Sequence, residues 1–302
     1  MTVEAEIHSA IVDLVAPGAR LEHVHRFRSG PMPFPAKLVL STDAGSVACV
    51  VKATTVPGSS RTEAVVLDVL EDLAFDAPAV LAGPHLVPTS AGPVEVLVLS
   101  VLPGEPLPWI AVTDVGVADR TCRLLFEAID RLHASTPRIA AHPKAADVPT
   151  RTLDDELAAV AGRRSPWVET RVFQEAMDAL DKHLPRHRLP LVFSNGDYNP
   201  LNVLADAAGL TGWVDFEHAG FEDPLIGLPK FQFWSHDSGW SLGSQVGIVE
   251  RFLFRRHVAP AAFIVRVALR GLTHLHDTTP DDPPSSMLSQ IERAVALLET
   301  DE

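Results

Sequence analysis

The order of hydrophobic patterns along the chain limits its architecture more than any other feature. Up to about residue 100, apolar residues run in short stretches rich in Val and Leu, such as AKLVLST (36–42), SVACVVKAT (46–54) and VEVLVLSVL (94–102). Such stretches read as strands. Beyond Pro103-Gly104 the apolar residues recur at helical spacing, as in 119–134, where Leu124, Leu125, Ala128, Ile129 and Leu132 share one stripe. Strands first and helices later give an α+β chain: a sheet-rich part over 1–101, a larger helical part over 102–302, and a hinge near 100–104.

Within the first part, Asp43-Ala44-Gly45 is a hairpin turn between two strands. Residues 60–74 read as a helix with Val66, Leu67, Leu70 and Leu73 on its buried stripe. In the second part, helices are expected at 153–161, 170–183, 225–234, 241–257, 260–276 and 286–300, with a Pro- and Ala-rich loop at 135–150. The 302 residues carry a formal charge of −14 and both parts are acidic. Binding to duplex nucleic acid needs a basic face, so no nucleic-acid partner is expected. Cys49 and Cys122 cannot build a disulfide framework or a four-cysteine zinc site. The N-terminus lacks a basic leader pattern, and no apolar run approaches the length of a membrane span. A cytoplasmic protein with no membrane partner is expected.

The chemistry concentrates in 191–217, LVFSNGDYNPLNVLADAAGLTGWVDFE. It places Asp197, Asn202 and Asp215 on a loop, strand, turn and strand. NGD and NP are also ordinary turn formers. An acid that ends an apolar strand, as Asp215 ends WVD, is costly to bury without a cationic partner, and a magnesium ion is such a partner. Phosphoryl transfer asks for this set: one carboxylate to orient a hydroxyl and take its proton, and hard oxygen ligands for the metal.

The segments NGDYNPLN and VDFEHAGFEDPLIGL resemble the aminoglycoside phosphotransferase-like family, which includes choline, fructosamine and macrolide kinases, with its HGDxxPxN motif, its strand ending in Asp and its GDPxxDL-like segment. The resemblance covers about residues 24–235 and implies a protein-kinase-like bilobal fold with a small antiparallel-sheet lobe and a larger helical lobe. It implies Asp197 as catalytic base, Asn202 and Asp215 as ligands of Mg²⁺, and Glu217 as a neighbour of the metal site. ATP or GTP would be the phosphoryl donor and a small hydroxylated molecule the acceptor. Two positions depart from the pattern. Asn195 stands where the family has His, and Gly227 where it has the second Asp; both are taken as parts of a rebuilt brace behind the catalytic loop. Asp223-Pro224 reads as an N-cap followed by Pro at the start of a helix.

Upstream, Lys52 ends VACVVK and Glu63 follows on the next helix, which matches the Lys–Glu pair that kinases place on the α- and β-phosphates. Ser60-Arg61-Thr62-Glu63 also fits a capping box, in which Glu63 would serve the helix end instead, but the order of segments puts the ion pair first. The hinge LVLSVLPG resembles an adenine-binding linker, with backbone contacts at Ser100 and Leu102. Where the family has small residues over the phosphates, Arg28–Pro35 carries Pro31, Pro33 and Pro35, which donate no N–H. That loop leaves open a catalytically inactive nucleotide-binding module. Asp237 and Glu250 are candidates for contacting a cationic acceptor, such as an amino sugar. Gly239-Trp240-Ser241-Leu242-Gly243 matches the serine-hydrolase elbow, but without the preceding strand and the acid-then-His order that such a site needs.

Overall fold

The computed structural model describes residues 2–27, 34–108, 115–233, 242–280 and 284–300. The chain gathers into two compact units, each assembled from several segments. The first holds Met1–Leu107, Pro137–Pro149 and Asn195–Ala219; the second holds Pro108–Thr136, Thr150–Ser194 and Gly220–Glu302.

The first unit is built on a five-stranded antiparallel sheet: β1 (Arg20–Arg26), β2 (Ala36–Thr42), β3 (Gly45–Thr54), β4 (Val80–Thr89) and β5 (Gly92–Ser100), ordered β1-β2-β3-β5-β4. The expected hairpin forms between β2 and β3, with Thr42 opposite Gly45 and the Thr42 hydroxyl closing the turn onto the Ala44 amide and the Gly45 carbonyl. Helix α1 (Val3–Val15) buries Ile7 and Ile11 with Leu38, Leu40, Cys49, Val51, Val96 and Val98. Burial pushes the Cys49 thiol up to about 11, so it is packing material and not a nucleophile. Helix α2 (Arg61–Asp72) buries Val66, Leu67 and Leu70 as its periodicity requires, and Glu63 beside them. A smaller sheet of β6 (Glu105–Pro106), β8 (Val203–Ala205) and β9 (Leu210–Trp213) completes this unit.

The second unit contains a short ribbon of β7 (Val192–Ser194) and β10 (Gly220–Glu222). Its helices include α4 (Leu153–Gly162), α5 (Arg171–His183), α6 (Lys230–Phe233), α7 (Leu242–Arg255), α8 (Pro260–Leu275) and α9 (Ser285–Thr300). Helix α3 (Val115–Ala140) overruns the loop expected from 135 and passes through Pro137. Ile139 and Leu132 are fully buried on it, and that burial outweighs the backbone bond that proline forfeits. The expected helix at 225–234 is also shorter, because 224–227 form turns and only Lys230–Phe233 is helical. No described helix is long and apolar enough to cross a membrane.

His133, half-buried on α3, has its pKa lowered to about 3 by burial and by the nearby Arg256 guanidinium. The fold therefore holds this imidazole neutral, whereas an unfolded histidine protonates near 6.5. Its contribution is present above pH 6.5 and is lost as pH falls towards 3. At pH 5 the expected loss is about 1–2 kcal/mol relative to pH 7. Urea unfolding at both pH values checks this, since His133→Gln should shrink the pH-dependent change by that amount.

Candidate active site

Lys52 is the centre of the site. It lies on β3, and its Nζ donates to Glu63 Oε2 at 2.7 Å and to Asp215 Oδ1 at 2.6 Å, with Glu217 Oε2 at 3.7 Å. The two sequence alternatives for Glu63 are thus decided. Ser60, at the N-cap of α2, makes no side-chain cap, and Glu63 turns away from the helix end to Lys52. Its second oxygen accepts the Phe216 amide at 3.1 Å. Glu63 joins the lysine to the backbone immediately after Asp215. Burial alone would lower the Lys52 pKa, but attraction to Glu63 and Asp215 overrides it, and the ammonium is held above its ordinary value. Burial drives the Glu63 carboxyl upward, against the pull of Lys52 and the Phe216 amide.

Asp197, Asn202 and Asp215 are brought together by a compact turn system. Asn199-Pro200 starts a single helical turn that ends at Asn202, with the Asn199 side chain accepting the Leu201 amide. Asn202 then donates through Nδ2 to the Asp197 backbone carbonyl and to Asp197 Oδ2, both at 3.3 Å. Its own carbonyl accepts the Val214 amide at 2.8 Å, one residue before Asp215. Asp215 itself has φ +67°, in the left-handed region. Asp is among the few side chains that tolerate that region, and such strain concentrates where a fold needs a side chain aimed.

Asn195 bonds to the backbone beside both Asp197 and Asp215. Its Nδ2 donates to the Asp197 carbonyl at 2.8 Å and, more weakly, to the Asp215 carbonyl at 3.5 Å, while its Oδ1 accepts the Asp197 amide at 3.2 Å. One amide side chain therefore ties the backbones of both acids. Gly196 is obligatory between them: its φ is +80°, and a Cβ there would stand 2.1 Å from the His218 carbonyl.

The hinge residues lie in the same unit. The Ser100 amide donates to the Ala79 carbonyl and its hydroxyl accepts the Ala79 amide, each at 2.9 Å, so the Ser100 N–H is committed within the protein. Leu102 sits against β9, where its Cδ1 would be 2.8 Å from a Cβ added at Gly212. Asp237 and residues 28–33 of the Pro-containing segment lie outside the described residues, as do Gly239–Ser241 of the hydrolase-like motif. Glu250 is exposed on α7 in the second unit.

Asp223 differs from expectation. It starts a turn and caps no helix: its Oδ1 accepts the Leu225 amide at 3.0 Å. Its main partner is Arg266 on α8, which donates through Nε at 3.0 Å and Nη2 at 2.5 Å, with both side chains almost wholly buried. Nothing in the sequence marks Arg266, because it lies in a strongly apolar helical run.

Among the described residues no group of three or more His, Cys, Asp or Glu is arranged to hold a metal ion, so any cation here would rely on carboxylate and amide oxygens together. Glu63, Asp215 and Glu217 set three carboxyl groups around the one Lys52 ammonium, at 2.7, 2.6 and 3.7 Å. Asn202, with Nδ2 turned to Asp197, has an amide oxygen left to offer, and oxygen donors of this kind suit Mg²⁺.

Comparison with known proteins agrees with this geometry. The family model described as "Phosphotransferase enzyme family" matches residues 34–257. No curated protein sequence matches the chain. Among solved structures, a thermostable mutant of aminoglycoside phosphotransferase APH(4)-Ia, in ternary complex with AMP-PNP and hygromycin B, superposes with a TM-score of 0.69 at 15% identity, over 96% of this chain and 98% of that one. A microcompartment-associated aminopropanol kinase gives 0.62 at 18% identity, over 98% and 96%. Macrolide 2'-phosphotransferase MphH from Brachybacterium faecium gives 0.55 at 19%, over 97% and 99%. At such identities the structures establish a shared kinase-like α+β fold, and the family match covers most of the chain. The chain therefore belongs to the aminoglycoside phosphotransferase-like phosphotransferase enzyme family.

Proposed function

We propose that this phosphotransferase moves the γ-phosphoryl group of a Mg²⁺-bound nucleoside triphosphate onto a hydroxyl of a small acceptor of the cationic, amino-sugar kind. The observation that carries the reading is the Lys52–Glu63–Asp215 linkage, which joins a lysine on a sheet strand to the acid that follows Asp197 and Asn202 in the turn system.

Lys52 holds the triphosphate, and Glu63 fixes the lysine so that little side-chain freedom is lost on binding. Asp197 orients the acceptor hydroxyl and takes its proton as the phosphoryl group leaves the donor. Asn202 and Asp215 hold the metal, and Glu217 adds charge beside it. The bound Mg²⁺ supplies neutralisation of the charge on the transferring group. Asn195 keeps the two acids in register. The backbone at Leu102 meets the base, with Ser100 shaping the hinge behind it. The parts of the chain up to and beyond about residue 101 act as the nucleotide-holding and acceptor-holding lobes. Asp237 and Glu250 are the acids offered to a cationic acceptor, such as an aminoglycoside or another amino sugar. The structures of relatives solved with AMP-PNP and hygromycin B support a nucleotide donor and a hydroxylated acceptor.

The test is titration of ATP and GTP with and without Mg²⁺, followed by a transfer screen over hydroxylated amines and sugars. Metal-dependent nucleotide binding with phosphate transfer is expected. Metal-dependent binding without transfer on a broad panel would instead make the chain an inactive nucleotide-binding module. In the active protein, Lys52→Met should lower kcat/KM for the nucleotide by about 10²-fold, in keeping with the loss of one charge-assisted phosphate contact. Unchanged kcat/KM would remove Lys52 from the site.

A further inference from the structure

Helix α2 has an unusual start. Its N-cap Ser60 has helical dihedrals (φ −83°, ψ −2°) and makes no side-chain cap. Glu63, the residue three positions on that would normally reach back to the helix end, is engaged with Lys52 and Phe216. The Ser60 amide, which a capping-box Glu63 would accept, must find an acceptor elsewhere.

That acceptor is Glu95 on β5. Its Oε2 accepts the Gly58 amide at 2.5 Å and its Oε1 accepts the Ser60 amide at 2.8 Å. Glu95 is only 5% exposed, and it faces Thr54, two residues beyond Lys52, across the β3–β5 ladder. Gly58 reaches this carboxylate with φ +83°, a conformation natural to glycine. Burial would raise the Glu95 pKa, but the Gly58 and Ser60 amides outweigh it and hold the carboxyl below its usual range, so the cap is an anion near neutral pH. An anion at a helix N-terminus is favoured by the helix dipole as well as by the amides.

We propose that Glu95 is a positioning residue for the nucleotide site: by capping α2 from the neighbouring strand, it releases Glu63 from helix-end duty and sets it against Lys52. Without Glu95, the amides of Gly58 and Ser60 lose their acceptor, and Glu63 is the nearest acid on α2 able to serve the helix end. Each turn of Glu63 towards the helix end breaks the Lys52 contact. The claim deepens the phosphotransferase reading and rests on it for its consequence in binding.

The experiment is a double-mutant cycle on nucleotide Kd with Glu95→Gln and Glu63→Gln, run beside hydrogen exchange of the 58–63 amides. Glu95→Gln keeps the shape but presents an amide N–H to a backbone N–H. It should raise nucleotide Kd about fivefold, comparable to one lost helix cap, leave acceptor KM unchanged, and quicken exchange at Gly58 and Ser60. In the Glu63→Gln background it should add nothing further to Kd, since the two act on one lysine. Full additivity of the two changes, or an unchanged Kd for Glu95→Gln while Glu63→Gln weakens binding, overturns the proposal. If Glu63→Gln itself leaves Kd unchanged, the nucleotide reading of Lys52 and Glu63 fails. The capping claim then stands or falls on whether exchange at 58–63 quickens at least about tenfold, the equivalent of about 1.4 kcal/mol of lost protection.

Discussion

Asp197→Asn should reduce phosphate transfer by at least about 10³-fold, at the upper range of what a general base contributes, while nucleotide Kd changes by less than about threefold. The reasoning lies in how Asp197 is held. Its amide and carbonyl are fixed by Asn195, and its carbonyl and Oδ2 accept from Asn202 Nδ2. An asparagine of the same shape keeps the backbone clamps and loses only the negative charge and the ability to take a proton. The Lys52–Glu63–Asp215 linkage assigned to the triphosphate and metal is left intact. Single-turnover transfer and equilibrium nucleotide titration separate the two quantities. Transfer within tenfold of the parent protein would place the base elsewhere.

Arg266→Met should destabilise the second unit by about 3–5 kcal/mol, the usual cost of removing one partner from a buried ion pair. Arg266 is 0% exposed and Asp223 2%. Two guanidinium nitrogens bond the two carboxylate oxygens, and a third donates to the Ala262 carbonyl at 2.6 Å. Methionine fills much of the arginine volume, so the main loss is electrostatic: Asp223 stays in the interior with only the Leu225 amide on Oδ1. Replacing both members, as Arg266→Met with Asp223→Leu, should recover most of the loss, because an apolar pair of similar volume carries no desolvation penalty. Urea unfolding followed through the tryptophans, with the double variant as control, decides it. A midpoint unchanged in Arg266→Met would show that the pair contributes nothing net.

Strands β2, β3 and β5 and helices α2, α4, α5, α8 and α9 follow from period and turn residues, since each buries one face or stripe that its own sequence spells out. The strands β1 and β4 escaped notice: RLEHVHR and VLAGPHLVPT carry charge, His and Pro that break any simple alternation, and they become strands by hydrogen bonding at the two edges of the sheet. Pro137 misled in the other direction, because burial of Ile139 keeps α3 going past it.

For the site, residue type and spacing were sufficient to bring Asp197, Asn202 and Asp215 forward, because metal and proton chemistry restrict which side chains can serve. The chain alone also placed Lys52 on a strand and Glu63 on the helix that follows it. It ranked the ion pair above the capping box for Glu63 only on the order of segments, and it did not find Glu95 or the Arg266–Asp223 pair. Those are contacts between residues 11, 35 and 43 positions apart. Local periodicity reports only which face of an element is apolar. Which polar group a buried acid meets is fixed when distant segments pack and every amide and charge taken from water must find a partner.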